Sequence, residues 1–182
     1  FAALEGDAVT LYNVYLAFQH HNQRGATAAP EWCRRNRLSI AALLQAARVR
    51  SALWRQLRRF GIETDGASDT NPDSVRRALV RGFFSTAARR TEYEASGKAT
   101  YSLVRGGSAR CRLLAQSVLW RYPPEWLLVH ETSGDSSTGG DGGVVCASSV
   151  EAAWIAELAP HFFEIGSGRA AAALSEKRLR WL

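Results

Sequence analysis

The sequence predicts an α+β protein: a helical bundle over residues 1–88, a five-stranded β-barrel over 89–166 and a basic helical tail over 167–182. Three observations carry this. Apolar residues recur at helical spacing up to residue 88 and shift towards strand-like runs beyond it. Those later segments are short and divided by Gly- and Pro-rich turns, the pattern of a small barrel. The 182 residues are 46% hydrophobic and 22% charged, which supplies a core and excludes wholesale disorder.

The elements follow in order. Asp7 is a candidate N-cap for a helix over 8–21, in which Leu11, Val14, Tyr15 and Phe18 fall on one face. Gly25 to Pro30 is a break, and Pro30 suits the first position of the next helix. Ser39 caps a long helix to about Phe60, with an apolar stripe of Leu43, Ala46, Leu53, Trp54 and Leu57 and with Gly61 as its stop. Residues 64–74 are a polar loop. Asn71-Pro72 starts a further helix with Val75, Leu79 and Phe83 inward. Ala99–Val104, Arg110–Leu119, Glu125–Glu131 and Val144–Val150 read as strands. Residues 134–143 are low-complexity and Gly-rich. A short helix over 152–159 and an amphipathic helix over 169–182 complete the chain.

Charge is segregated along the sequence. Residues 31–60 hold eight Arg and one Glu, whereas 61–74 hold four acids and no base. Residues 75–122 hold ten bases and two acids, and 123–168 hold seven acids and no base. Of the 23 bases 21 are Arg, which suits forked phosphate recognition. No stretch of 18 apolar residues occurs, so no membrane helix is expected. Cysteines 33, 111 and 146 lack the spacing of a disulfide framework or a zinc site, and no metal is expected. The opening Phe1–Asp7 is no secretory leader and reads as a start within a domain.

Catalytic signatures are missing: no phosphate-binding loop, no nucleophile elbow, no zinc-binding His pair. The catalytic set is therefore none. Binding signatures are better. Arg110 and Arg112 lie two apart on one strand and share a face. Tyr101 on the preceding strand joins that face if the hairpin register allows, giving an aromatic flanked by guanidiniums, a stacking platform for single-stranded nucleic acid. Arg48, Arg55 and Arg59 form a basic helix face. Arg50 falls in the middle of the apolar stripe, so burial would require a partner. Pairing with Asp7, Glu31 or Asp73 and contact with RNA are the two readings.

The order of segments is familiar. Gly6-Asp7 through Phe18 resembles the G-D-x-L-T-L-L-N-V-Y-x-A-F stretch of DEAH-box RNA helicases. The likeness continues through Trp32-Cys33-Arg34, Leu38-Ser39, Val49-Arg50-Ser51, Gly82-Phe83-Phe84, Pro124-Glu125-Trp126-Leu127 and Glu157 to Phe163, covering about residues 5–166. It implies the C-terminal helicase-associated (ratchet) bundle and oligonucleotide-binding (OB) fold of that family. The RNA-side set it suggests is Arg50, Tyr101, Arg110, Arg112, Gln116 and Ser117. This segment would need no cofactor, while the parent chain would use ATP and magnesium. Partners would be single-stranded RNA, the parent's ATPase core, and protein activators or ribonucleoprotein components, with a nuclear location as the family's common case. The sequence departs from the family at Ala41, Val145 and Ala152-Ala153, and at Leu114-Ala115-Gln116-Ser117, where only the Ser117 hydroxyl matches. Those departures fit a second reading, a diverged helicase module kept as a scaffold.

Overall fold

The computed structural model describes residues 1–63, 70–94, 98–105, 109–133, 142–166 and 178–181. Most of the Gly-rich run, the polar loop over 64–69 and most of the tail lie outside them. The chain forms two units: Phe1 with Leu11–Asp69, and Ala2–Thr10 with Thr70–Leu182.

In the first unit, α1 (Asp7–Gln23), whose first turn belongs to the other unit, is followed by α2 (Ala28–Arg35) and α3 (Ile40–Arg59). α2 starts two residues before Pro30, which sits within the first turn, where its missing N–H breaks no helical bond. A small core of Phe18, Ala29 and Cys33 takes Tyr15, Trp32, Leu38, Ile40 and Leu43 against it. The Ser39 hydroxyl accepts from the Ala42 N–H at 3.2 Å, capping α3 as expected. Gly61, at φ +71°, ends it in the left-handed region.

The α3 stripe is not what helical spacing suggested. No residue of α3 is buried. Leu43 and Trp54 are half-covered, whereas Ala46, Leu53 and Leu57 are exposed. Arg50 is exposed too, with its guanidinium 5.3 Å from the Trp54 ring centroid. The expected burial of Arg50 is thereby corrected: only the Leu43–Trp54 edge of the stripe is covered.

The second unit is built on β1 (Ala87–Tyr93), β2 (Ala99–Leu103), β3 (Arg110–Leu113), β4 (Trp126–Ser133) and β5 (Gly142–Ser149). They close a barrel in the order β1-β2-β3-β5-β4, with β3 and β5 parallel and the other pairs antiparallel. Inward residues alternate along β3 and the start of β4, and the β4–β5 pairing is bulged, so Ala88, Tyr101, Cys111, Leu113, Leu127, Val129, Val144 and Ala147 fill the interior. β4 is apolar on both faces because α4 (Pro72–Phe83) and α5 (Ala152–Leu158) cover its outside. There Trp126 and Leu128 meet Val80, Ile155, Ala159 and Phe163.

Three local expectations change. Val80, not Phe83, is the buried residue of α4; Phe83 is 47% exposed. β3 stops at Leu113, and Val118–Arg121 is a 3₁₀ turn rather than strand. Arg178–Trp181 is not helical: it forms β7, antiparallel to β6 (Phe163–Gly166), as its two-residue alternation of Arg with Leu and Trp allows. The last described helix is α5.

Candidate nucleic-acid interface

β3 decides which side chains face outward. Its residues alternate exposed, buried, exposed, buried, so Arg110 and Arg112 point out while Cys111 and Leu113 point in. Tyr101 pairs with Cys111, and the neighbouring pairs are Thr100 with Arg112 and Ser102 with Arg110. Paired residues share a face. Tyr101 therefore points into the barrel, fully buried, and its hydroxyl donates to the Pro124 carbonyl at 2.8 Å. Burial pushes its phenol further up from the usual range. The expected stacking platform of Tyr101 between the two arginines does not form, because the hairpin register sets them on opposite faces.

What the outer wall carries instead is a row of guanidiniums. Arg89 on β1 pairs with Ser102, which pairs with Arg110, so the row crosses three strands. Arg110 is ion-paired with Glu92, and Arg89 with Glu125 at 3.2 Å. Both carboxylates are about half exposed. Such surface pairs contribute roughly 0–1 kcal/mol, so exchange of the carboxylate for a phosphate costs little. At the end of β1 the Tyr93 ring, 58% exposed, lies 5.3 Å from the Arg90 guanidinium. Gln116 is exposed in the turn after β3.

Ser117 is elsewhere in the chemistry. It is buried, and its hydroxyl donates to Asp7 Oδ2 at 2.6 Å. The same carboxylate accepts from the Ala147 N–H at 2.9 Å through Oδ2 and from the Val118 N–H at 2.9 Å through Oδ1. Asp7 was expected to cap its own helix; these three bonds to the barrel are what its carboxylate makes. Gly6, at φ +127°, lets the backbone approach β5: a Cβ there would stand 2.7 Å from both the Ala147 carbonyl oxygen and Ser148 Cα. Beside this network His130 Nε2 lies 2.9 Å from Ser148 Oγ. Burial lowers the imidazole pKa, with the Asp7 charge opposing, and burial raises the Cys146 thiol to about 11.

No family model matches the chain. Among curated proteins it is similar to the probable ATP-dependent RNA helicase DHX35 of Pongo abelii, 34% identical over 168 residues, 92% of this chain and 21% of the relative. The human protein of that name is 33% identical over 168 residues, 92% of this chain and 22% of the relative. The Caenorhabditis elegans homolog is 31% identical over 183 residues, 99% of this chain and 22% of the relative. These relatives are DEAH-box RNA helicases, and the likeness to them runs over 92–99% of this chain. It spans about a fifth of the length of the curated relatives it matches.

The Gly6-Asp7 pair that opens the DEAH-box resemblance thus has a physical role in this chain, joining its N-terminal residues to the barrel. Sequence reasoning assigned Asp7 too locally; the signal available was a Gly directly before an Asp, one tolerating positive φ and the other offering four acceptor lone pairs. Of the six residues suggested for RNA, Arg110, Arg112 and Gln116 are exposed on the barrel unit, Arg50 is exposed on the helical unit, and Tyr101 and Ser117 are core. Among the described residues no cluster of His, Cys, Asp or Glu could hold a metal, and no helix is long and apolar enough to cross a membrane.

Proposed function

We propose that this chain is an accessory RNA-binding module of an ATP-dependent DEAH-box RNA helicase, closing a single-stranded RNA channel over an ATPase core carried elsewhere in the parent protein. The observation that supports it is the outward row on the barrel wall, Arg89, Arg110 and Arg112, with its exposed and readily exchanged ion pairs. Phosphates of an unpaired strand would take the place of Glu92 and Glu125. Gln116 would donate from the adjoining turn. ATP and magnesium act in the parent chain, and its setting is nuclear, in ribonucleoprotein assemblies.

The test is the affinity of the chain for an unstructured oligoribonucleotide across a salt series. Each phosphate that a guanidinium no longer neutralises should reduce the log–log salt slope by about 0.7 for a single strand, so Arg110→Ala with Arg112→Ala should lower it by about 1.4. Affinity should fall uniformly across base sequences, because binding to phosphate carries no sequence information. A salt response that is flat, or identical in the double variant, contradicts the reading. The alternative is a diverged module that acts as a protein or RNA scaffold. The burial of Tyr101 and Ser117 favours it, since two of the six residues suggested for RNA then lie in the core.

A further inference from the structure

α3 is 20 residues long and buries none of them. Its covered edge, Ile40 and Leu43, packs on the small core of Phe18, Ala29 and Cys33. A second apolar line runs beside that edge in open solvent: Ala42, Ala46, Val49, Leu53 and Phe60, with Leu57 alongside. Val49, Leu53 and Phe60 are 49%, 59% and 78% exposed. The spacing of four, three, four and seven places these five at a and d positions of a heptad, with Gln56 at the remaining d. At 3.6 residues per turn the line is roughly 80° wide, the narrow seam of helix pairing rather than the broad face that enters a bilayer.

Charge selects the occupant. Arg50 and Arg59 stand at the flanking e and g positions, and α3 carries five arginines and no acid. A second copy of this chain would bring together two helices that each carry five arginines and no acid, and like charge disfavours that pairing. An RNA backbone would satisfy the arginines yet leave the aliphatic line in water. We propose that α3 is a docking seam for an amphipathic helix of a partner protein, aliphatic at a and d and acidic at e and g.

The probes are two labelled three-heptad peptides with Leu at a and d, one with Glu and one with Lys at e and g, titrated into the 182-residue chain by fluorescence anisotropy. The Glu peptide should bind at least about tenfold more tightly than the Lys peptide, a gap of about 1.4 kcal/mol. Val49→Ser with Leu53→Ser should abolish binding while leaving the circular dichroism spectrum unchanged, because both side chains are exposed. Arg59→Glu should narrow the gap between the peptides. Sedimentation and flotation with anionic vesicles are run on the same samples. Equal binding of the two peptides, failure of both to bind, a dimer dissolved by the double serine variant, or vesicle binding through the seam would each overturn the proposal.

Discussion

In the barrel unit, Tyr101, Leu113, Leu127, Leu128 and Val144 are all at most 1% exposed, and the first four residues of β4 are buried on both faces. In the helical unit, α3 has a side-chain N-cap at Ser39, yet Leu53 is 59% exposed and nothing on the helix is buried. The barrel closes on itself and completes its core with α4, α5 and the residues around Gly6-Asp7. α3 forms from its own backbone bonds and cap but leaves an apolar seam open. The difference teaches that periodicity specifies an element and its apolar side, whereas what covers that side is a separate question.

The largest expected effect is at Asp7. Replacing it with Ala leaves the Ser117 hydroxyl and the Val118 and Ala147 N–H groups without their acceptor. Each unsatisfied group costs about 1–3 kcal/mol when buried, so with three of them a loss of at least about 3 kcal/mol is expected, measured as urea stability by tryptophan fluorescence. A loss below that of an ordinary surface substitution would break the account of the barrel as a unit sealed by its N-terminal residues.

A matched pair sharpens the comparison directly. Leu127→Ala should cost about 2–5 kcal/mol, as a large-to-small change inside a packed core. Leu53→Ala should stay within about 0.5 kcal/mol, as an exposed position. Equal losses in the same denaturation experiment would mean that α3 is covered in solution.

The smallest effect is a pH dependence. His130 is half-buried, edge-on to Phe83 at 5.5 Å, and burial lowers its pKa. The unfolded chain, with an ordinary His pKa of about 6.5, takes up the proton first. The stability contributed by neutral His130 is therefore full above that value and is lost as pH falls through the lower folded one. Urea midpoints should decline on acidification in the parent and decline less in His130→Gln.

Much of this fold was legible, for local reasons. Ser39 and Asn71 act as the caps their positions suggested, with Asn71 Oδ1 accepting from the Asp73 N–H at 2.9 Å. β2, β4 and β5 fall close to where their apolar runs lay. β1 had no such signal, because its inward and helix-facing residues are Ala88 and Ala87, too small to mark a strand by hydropathy. The Arg110–Arg112 half of the candidate site followed from alternation alone. Tyr101 did not, because its facing depends on pairing across a hairpin, and a one-residue change of register reverses every side chain. Asp7 and Ser117 lie 110 residues apart in sequence, so their bond left no local pattern.

The central claim is that the outer wall of the barrel binds an unpaired RNA strand through the β3 arginines. Amide chemical-shift mapping of the isotopically labelled chain with an unstructured oligoribonucleotide tests it most directly. The account predicts that the largest shifts fall on Arg110, Arg112 and Gln116 and on the facing β2 residues Thr100 and Ser102. Saturating RNA that leaves those amides unmoved, while shifting others, would contradict it.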